Sequence, residues 1–191
     1  MTTTAIRSVG YCAHYSPSGD WAFEYALELA RSKQLQLNIF HFLSDPYDPE
    51  DGEADRLDPG QREKLIVERE RKLRTYYDSR LGDYLEVGFR LCEDREWLEL
   101  HRCLTKREFQ VLVLGRPDYR VNFGGKPLEE FADEFVCPVV LIGPSSPTEI
   151  RLNSPARLIA DALGLPNRLE HLFRLNRFST ACAAQGNHRP A

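Results

Sequence analysis

The stretch FQVLVLGRPDYRVNFGGKPLEEFADEFVCPVVLIG, residues 109–143, decides the fold class. It predicts a nearly all-apolar strand over 109–115, a glycine loop, a helix over 127–136 and a second apolar strand over 137–143. Strands this apolar are typical of a parallel sheet that helices cover on both faces. A strand, a glycine loop and a helix start also form a common phosphate cradle, so the same stretch raises the question of a ligand.

The alternation of strands and helices runs back to the N-terminus. Strands are predicted over 5–13, 35–43 and 84–92, helices over 16–34, 61–81 and 95–108, and a solvated acidic loop over 44–60. Strands that alternate with helices form parallel sheets through right-handed crossovers. We therefore predict an α/β fold with a doubly wound, five-stranded parallel sheet. Its ligands would bind where the winding reverses, which places the loops after Ala13 and after Leu114 at one crevice.

Composition narrows the function classes. The chain has 191 residues, a formal net charge of −4 and 42% hydrophobic residues, as in a globular domain with an extension. The negative charge argues against general nucleic-acid binding. No apolar run approaches the roughly 18 residues that span a bilayer, and no secretion signal is visible. The five cysteines lack CxxC spacing, which favours reduced thiols, no zinc site and a cytoplasmic protein.

The chain is expected to have three parts. Residues 1–144 form the α/β domain, residues 145–178 form a linker and two short amphipathic helices, and residues 179–191 form a disordered tail. The first short helix is expected to be capped by Ser154 and to end at Gly164.

The second short helix carries an apolar side flanked by arginines. It is a candidate for binding a protein partner, through Arg168, Leu169, Leu172, Phe173 and Arg174. Packing of both short helices on their own domain or on its dimer mate is an alternative. Contact with anionic lipid is the least favoured alternative, because the basic cluster is thin.

The loop GRPDYRVNFGGK, residues 115–126, departs from known phosphate cradles. A Walker loop requires a glycine where Arg120 stands and a hydroxyl where Pro127 stands. His14 and Lys126 are cationic or nearly so, and the helix starting at Pro127 points its positive end at the crevice, which favours an anion. The candidate residues for binding an anion or a nucleotide are His14, Gly115, Gly124, Gly125 and Lys126.

Three stretches together resemble the universal stress protein family. HYSPSGDWAFEYALELARSKQLQLNIFHFL is similar to its first loop, first helix and second strand. EDREWLELHRCLTKREFQVLVLG is similar to its third helix and fourth strand, and GGKPLEEFADEFVCPVVLIG is similar to its ending. The resemblance covers about residues 5–144. It implies a small α/β domain that dimerises, commonly through its last strand, and that binds ATP in some members.

The ATP-binding pattern of that family, GxxGx9G followed by Ser or Thr, is matched in part. Gly115 and Gly125 stand at its first and third glycines, but the second falls on Asp118 and the loop is shorter than the pattern. The hydroxyl position is Lys126, and His14 replaces the aspartate expected at the end of the first strand. Two alternatives follow: a relic loop without ATP, or a loop that binds a smaller anion or a nucleotide held differently.

The last predicted strand, within CPVVLIG, is a flat apolar segment that closes the sheet. Such an edge invites pairing with another chain, so we predict a homodimer through Val139, Val140, Leu141 and Ile142. Cover by the C-terminal helices is the alternative.

We interpret the chain as a non-catalytic stress-response or regulatory binding module with weak or absent nucleotide binding. A catalyst would require a base and a metal-binding carboxylate at the crevice, where His14 and Asp118 are the candidates and form a poor pair. The alternatives are a nucleotide-binding hydrolase or transferase, and a scaffold subunit of a larger assembly.

Overall fold

The computed structural model describes residues 6–48 and 57–164. Its strands are β1 (Ser8–Cys12), β2 (Gln36–Phe42), β3 (Val87–Cys92), β4 (Val111–Gly115), β5 (Asn122–Phe123), β6 (Lys126–Pro127), β7 (Val139–Ile142) and β8 (Ile150–Leu152). Its helices are α1 (Pro17–Lys33), α2 (Pro59–Leu81), α3 (Glu96–Thr105), α4 (Leu128–Glu134), α5 (Ser154–Leu158) and α6 (Ala160–Leu163).

The predicted α/β fold is confirmed. The main sheet has the order β3-β2-β1-β4-β7-β8, and its first five strands are parallel. The winding reverses between β1 and β4, which is where sheets of this kind place their ligand crevice. The short strands β5 and β6 form a separate hairpin between β4 and α4.

Alternation along the central strands builds a core on each face of the sheet. In β4, Val111 and Val113 pack with α1 and α2, whereas Leu112 and Leu114 pack with α3 and α4. Because successive strand residues point to opposite faces, a strand that is apolar throughout supplies both cores at once. This explains why the all-apolar stretch at 109–115 lies in the middle of the sheet.

The helix starts are fixed by local hydrogen bonds. The Ser16 side chain accepts a hydrogen bond from the Gly19 N–H and so caps α1. Asp58 caps α2 in a reciprocal arrangement with Gln61, and Pro59 stands in the first turn, where its missing N–H leaves no bond unmade.

The sheet has a sixth strand that the sequence did not predict. Strand β8 pairs antiparallel with β7, and the side chains of Val139, Val140, Leu141 and Ile142 are buried. The prediction that these four residues form an open edge is therefore wrong, because the chain itself occupies that edge. A dimer through β7 would have to displace β8 first.

The helices after β8 pack on the same body as the rest of the chain. Asn153, not Ser154, caps α5 by accepting a hydrogen bond from the Ala156 N–H, which corrects the predicted cap by one residue. Gly164 ends α6 in the left-handed conformation with φ 63°, as expected. Ala156 and Leu163 are buried in the core on the α1 side of the sheet.

The predicted second helix of the extension, with Arg168, Leu169, Leu172, Phe173 and Arg174, lies outside the described residues, as does the predicted tail. Within residues 6–48 and 57–164, no helix combines the length and the apolar character needed to cross a membrane.

Candidate functional site

The two loops that were expected to meet at the crevice do meet. His14 follows β1 and Gly115 ends β4, and the two residues are in direct contact. A Cβ atom added to Gly115 would clash with His14 Nε2 and would lie 2.6 Å from the carbonyl oxygen of Ser18. Only glycine fits here, because the histidine and the start of α1 fill the space beside it.

His14 is a packed residue at the bottom of the crevice, not an exposed ligand. The residue is 1% exposed, and its ring stacks on Tyr47 with centroids 3.8 Å apart and planes at 3°. Nδ1 lies 2.9 Å from Ser16 Oγ, and Nε2 makes no hydrogen bond of normal geometry with any described residue. The histidine therefore closes the crevice between β1 and β4.

The environment of His14 keeps its imidazole neutral. Burial, followed by the charge of the neighbouring His41, lowers the pKa of His14 to about 3, whereas the Gly115 backbone acts in the other direction. Burial likewise lowers the pKa of His41 to about 4. The expectation that His14 is nearly cationic is thus wrong, since a neutral ring gives an anion no net attraction.

Gly124, Gly125 and Lys126 lie at a different place from His14 and Gly115. The two glycines form the turn between β5 and β6 with φ of 58° and 79°, conformations that favour glycine. Gly124 packs against the ring of Trp97 in α3. The structure therefore divides the five predicted residues between two regions and does not assemble them into one site.

Lys126 forms ion pairs with carboxylates of the helix that follows it. Its Nζ lies 3.8 Å from a carboxylate oxygen of Glu130 and forms a second ion pair with Glu134, both on α4. These pairs lie on one face of the helix that follows the lysine.

The glycines of the turn line a cleft that is acidic. This cleft has a volume of about 640 Å³. Its charged lining residues are Asp45, Asp48, Arg62, Glu93, Asp94, Arg95 and Glu96. Carboxylates outnumber guanidinium groups, and the Gly124 N–H already donates to the Glu96 carboxylate. The carboxylates of the cleft would repel a phosphate bound at this turn, and the Gly124 N–H would not be free to donate to it.

Arg116 is a basic residue at the crevice that the sequence analysis missed. Its Nε donates to the Gly143 carbonyl oxygen over 3.1 Å, and its guanidinium group pairs with Glu149 and, at 3.5 Å, with Glu129. Arg116 directly follows Gly115, so its position was visible in the sequence. Its partners were not, because they lie 13 and 33 residues further along the chain.

A smaller pocket lies beside His14. It has a volume of about 270 Å³ and is lined by His14, Tyr15, Asp45, Tyr47, Asp48, Arg69, Lys72 and Tyr119. Lys72 Nζ lies 4.3 Å from the centroid of the Tyr15 ring, and burial, followed by the charge of Asp45, raises the pKa of Tyr15 to about 12. Tyr119 donates to the Tyr47 carbonyl oxygen over 3.0 Å. The walls are thus neutral aromatic rings with charged groups of both signs.

The predicted solvated loop over 44–60 contributes to this pocket. Asp45 and Tyr47 are buried, and the Asp45 carboxylate accepts a hydrogen bond from the Tyr47 N–H over 2.9 Å. The start of this loop therefore belongs to the site. Because Tyr47 stands in a segment rich in Pro and Asp, the sequence gave no indication that it is buried.

The part of the chain that the structure describes contains neither a metal-binding cluster nor a reactive thiol. No group of three His, Cys, Asp or Glu residues there is placed to hold a metal ion. The four described cysteines are buried free thiols: Cys12, Cys92, Cys103 and Cys137. Burial raises the pKa of Cys103 and of Cys137 to about 12, so neither forms a thiolate readily.

Comparison with known proteins places the fold. No protein-family model matches the chain, and no curated protein matches it. The structure of a universal stress protein from Archaeoglobus fulgidus matches with a TM-score of 0.51 and 14% sequence identity, over 73% of this chain and 100% of that one.

Two further solved structures match a similar share of the chain. The universal stress protein UspA from Lactobacillus plantarum has a TM-score of 0.42 and 16% identity, over 72% of this chain and 97% of that one. A macrolide-efflux protein from Streptococcus pneumoniae has a TM-score of 0.42 and 18% identity, over 75% of this chain and 47% of that one. The resemblance seen in the sequence is confirmed at the level of the fold. This chain therefore has the fold of the universal stress proteins.

Proposed function

We propose that this chain is a non-catalytic regulatory binding domain of the stress-response type that does not hold an adenine nucleotide on residues 115–126. The observation that carries the proposal is the filled crevice between β1 and β4. His14 stacks on Tyr47 and touches Gly115, so the chain's own side chains occupy the space at the reversal of winding. A nucleotide would have to displace this buried pair of rings.

The charges around the loop support the same proposal. Arg116 and Lys126 are paired with carboxylates, and Gly124 and Gly125 line the acidic cleft. A triphosphate would need to break these ion pairs before it gained any of its own. Each exposed pair contributes at most about 1 kcal/mol, but the repulsion from the cleft adds to that cost.

A small ligand is a better match to the remaining space. The pocket beside His14, at about 270 Å³, lies below the range of roughly 300–1,000 Å³ that is usual for drug-sized ligands. Its aromatic and charged walls suit a small polar molecule, which we propose as the regulatory ligand. In this proposal the domain acts in the cytoplasm, in keeping with its free cysteines, and residues 166–178 bind a partner protein.

The geometry gives a catalytic alternative little support. His14 has a depressed pKa and is closed off from solvent, while Asp118 is an exposed loop residue. A base with a pKa of about 3 is almost fully deprotonated at neutral pH but accepts a proton poorly.

A thermal melt with ATP, ADP or AMP, with and without Mg²⁺, tests the proposal. A nucleotide at a hundredfold excess over its dissociation constant would stabilise the fold by about 2.7 kcal/mol and raise Tm by several degrees. We expect no such shift, and no phosphate release from ATP. A shift that a Gly125→Ala, Lys126→Ala variant abolishes would refute the proposal.

The same assay tests the small pocket with a panel of small polar metabolites. We expect that a metabolite which raises Tm loses its effect in Lys72→Met, which keeps the apolar stem but removes the charge. Lys106→Met provides the matched control, because Lys106 lies in the connection from α3 to β4, outside this pocket.

A further inference from the structure

A hollow lies on the α3 face of the sheet, toward the N-terminal ends of β2 and β3. It has a volume of about 550 Å³, and its walls come from β2, β3 and the turn between α3 and β4. The crevice between β1 and β4 lies at the other end of the strands, beyond their carboxyl ends. The hollow shares no described lining residue with the pocket beside His14 or with the acidic cleft. It is therefore a separate candidate site, and its volume is usual for small ligands.

The floor of the hollow is polar, whereas the covered part of this sheet face is apolar. Even-numbered residues of β2 point to the α3 face, where Phe40 and Phe42 are buried in the core. On the same face, Gln36 is exposed and Asn38 is half-buried. Gly88 of β3 stands opposite Asn38 and adds no side chain. The sequence of this face thus changes from apolar to polar where the cover by α3 ends, which suits a polar ligand.

The amide groups on this floor have fixed neighbours. The Asn38 Nδ2 donates to the Glu108 carbonyl oxygen, and a Cβ atom placed on Gly88 would clash with the Asn38 Oδ1. The Gln36 Nε2 lies 4.0 Å from the same Cβ position. A side chain at position 88 would therefore displace the amide of Asn38 and fill the hollow. Glycine leaves the space open, with the Gln36 amide nitrogen beside it as a hydrogen-bond donor.

Arg107 has a backbone conformation that arginine rarely adopts. Its φ is 59°, directly after α3, at the position where helices most often have glycine. The Arg107 N–H donates to the Leu104 carbonyl oxygen, and the Glu108 N–H donates to that of Cys103, each over 2.9 Å. These two bonds form the Schellman motif, which glycine completes with less strain. The helix end therefore does not explain why an arginine stands here, and strained backbone of this kind is common at ligand sites.

The left-handed turn brings two unpaired cations to one hollow. Consecutive side chains of a helix diverge by about 100°, yet both Lys106 and Arg107 line this space. Neither side chain forms an ion pair or a hydrogen bond with any residue that the structure describes. Arg90 also lines the hollow, but it is held by Glu108 at 2.6 Å and by Glu99 at 3.5 Å. The charges of Arg90 and Glu108 cancel, so the lining has two positive charges that no carboxylate balances.

We propose that this hollow binds a small dicarboxylate, with one carboxylate on the guanidinium group of Arg107 and the other on the ammonium group of Lys106. Two separate carboxylates match two cations that leave the backbone in different directions. The planar guanidinium group donates two parallel hydrogen bonds to a carboxylate, and the ammonium group pairs with the second as a point charge. The carbon chain of the ligand lies over Gly88, where the Gln36 amide nitrogen donates from the floor.

An NMR titration of the full chain with succinate, at constant ionic strength, tests the site. We expect saturable shifts of the backbone amides of Gly88 and Arg107 and of the side-chain amide of Gln36. The amides of Gly115 at the crevice and of Gly125 at the acidic cleft should not move. Acetate is the matched probe, because a monocarboxylate pairs with one of the two cations only. Succinate should bind about fivefold or more tightly than acetate.

The substitution Arg107→Gly separates binding from folding. Glycine accepts a φ of 59° without strain but adds freedom to the unfolded chain, so Tm should change little. The affinity for succinate should fall about fivefold or more, to the level of acetate, because one cation remains. Gln34→Gly is the matched control, since Gln34 ends α1 with φ 55° and does not line the hollow. It should leave the affinity for succinate unchanged.

The substitution Lys106→Met should weaken succinate binding to the same extent, whereas Lys72→Met should not. A ligand of the pocket beside His14 has the opposite pattern, so the two sites are tested independently. The proposal is overturned by the absence of saturable shifts with succinate, or by equal affinities for succinate and acetate. It is also overturned if both Arg107→Gly and Lys106→Met bind succinate as tightly as the parent protein, or if Gln34→Gly loses as much affinity as Arg107→Gly.

Discussion

Acid should destabilise this protein through its two buried histidines. His14 and His41 are held neutral in the fold, with pKa values lowered to about 3 and about 4 from the ordinary value of 6.5. The unfolded chain therefore binds more protons than the folded one below pH 6.5. By linkage, the free energy of unfolding is insensitive to these groups above pH 6.5 and falls as the pH drops from there toward about 4.

The expected size of the effect follows from the width of that window. A pH of 5 is about 1.5 units below the pKa of a histidine in the unfolded chain. The free energy of unfolding therefore falls by about 2 kcal/mol for each histidine, or by about 4 kcal/mol for both. Domains of this kind have a total stability of about 5–15 kcal/mol, so the loss is easily measured.

The substitution His14→Phe isolates one of the two contributions. Phenylalanine retains an aromatic ring to stack on Tyr47 but cannot titrate. We expect the loss of stability between pH 7 and pH 5 to fall from about 4 to about 2 kcal/mol, measured by urea unfolding at constant ionic strength. The control His101→Phe changes an exposed histidine that contacts Phe135 and should leave the loss as in the parent protein.

The comparison uses the difference between two pH values for each variant, so a general destabilisation by the substitution cancels. If His14→Phe loses as much stability between pH 7 and pH 5 as the parent protein, then His14 is not held neutral in the folded state, and the account of the closed crevice is wrong.

Three other predictions concern packing, a buried polar hub and thiol access. Gly115→Ala should lower stability in chemical unfolding by about 1–3 kcal/mol, because its Cβ meets His14 and Ser18, whereas Gly60→Ala, with 3.4 Å of clearance in α2, should be neutral or stabilising. Asn153→Ala should cost about 3 kcal/mol or more in thermal melts, since the side chain makes five hydrogen bonds to the surrounding backbone; an unchanged Tm would contradict this role. In the native protein at neutral pH, iodoacetamide should leave four cysteines unlabelled, as read by peptide mass spectrometry: Cys12, Cys92, Cys103 and Cys137.

Much of the fold was predictable because its signals are local. The strand over 109–115 is apolar throughout, and only a position between two helical layers accepts such a strand. Strand β8 was missed for the opposite reason. It has three residues with an exposed arginine at its centre. These residues form a strand because they pair with the edge of β7, and that contact is not visible in the local sequence.

The site was less predictable because its residues are set by contacts that are distant in sequence. His14 is closed off by Tyr47, which lies 33 residues away in a segment that is polar in composition. One signal was available and unused: Glu130 and Glu134 stand four and eight positions after Lys126, which is the spacing that places charges on one helix face. That spacing predicts a lysine that is paired with the helix following it rather than with a phosphate.

The strand β8 also affects how the chain emerges during synthesis. An apolar edge is most hazardous while it is exposed on a nascent chain, before its cover has been made. Here β7 ends at residue 142 and β8 spans residues 150–152, so the cover follows about ten residues later. At the usual 5–20 residues per second, the interval is on the order of one second. The growing chain thus supplies its own cover for this edge and does not depend on meeting another molecule.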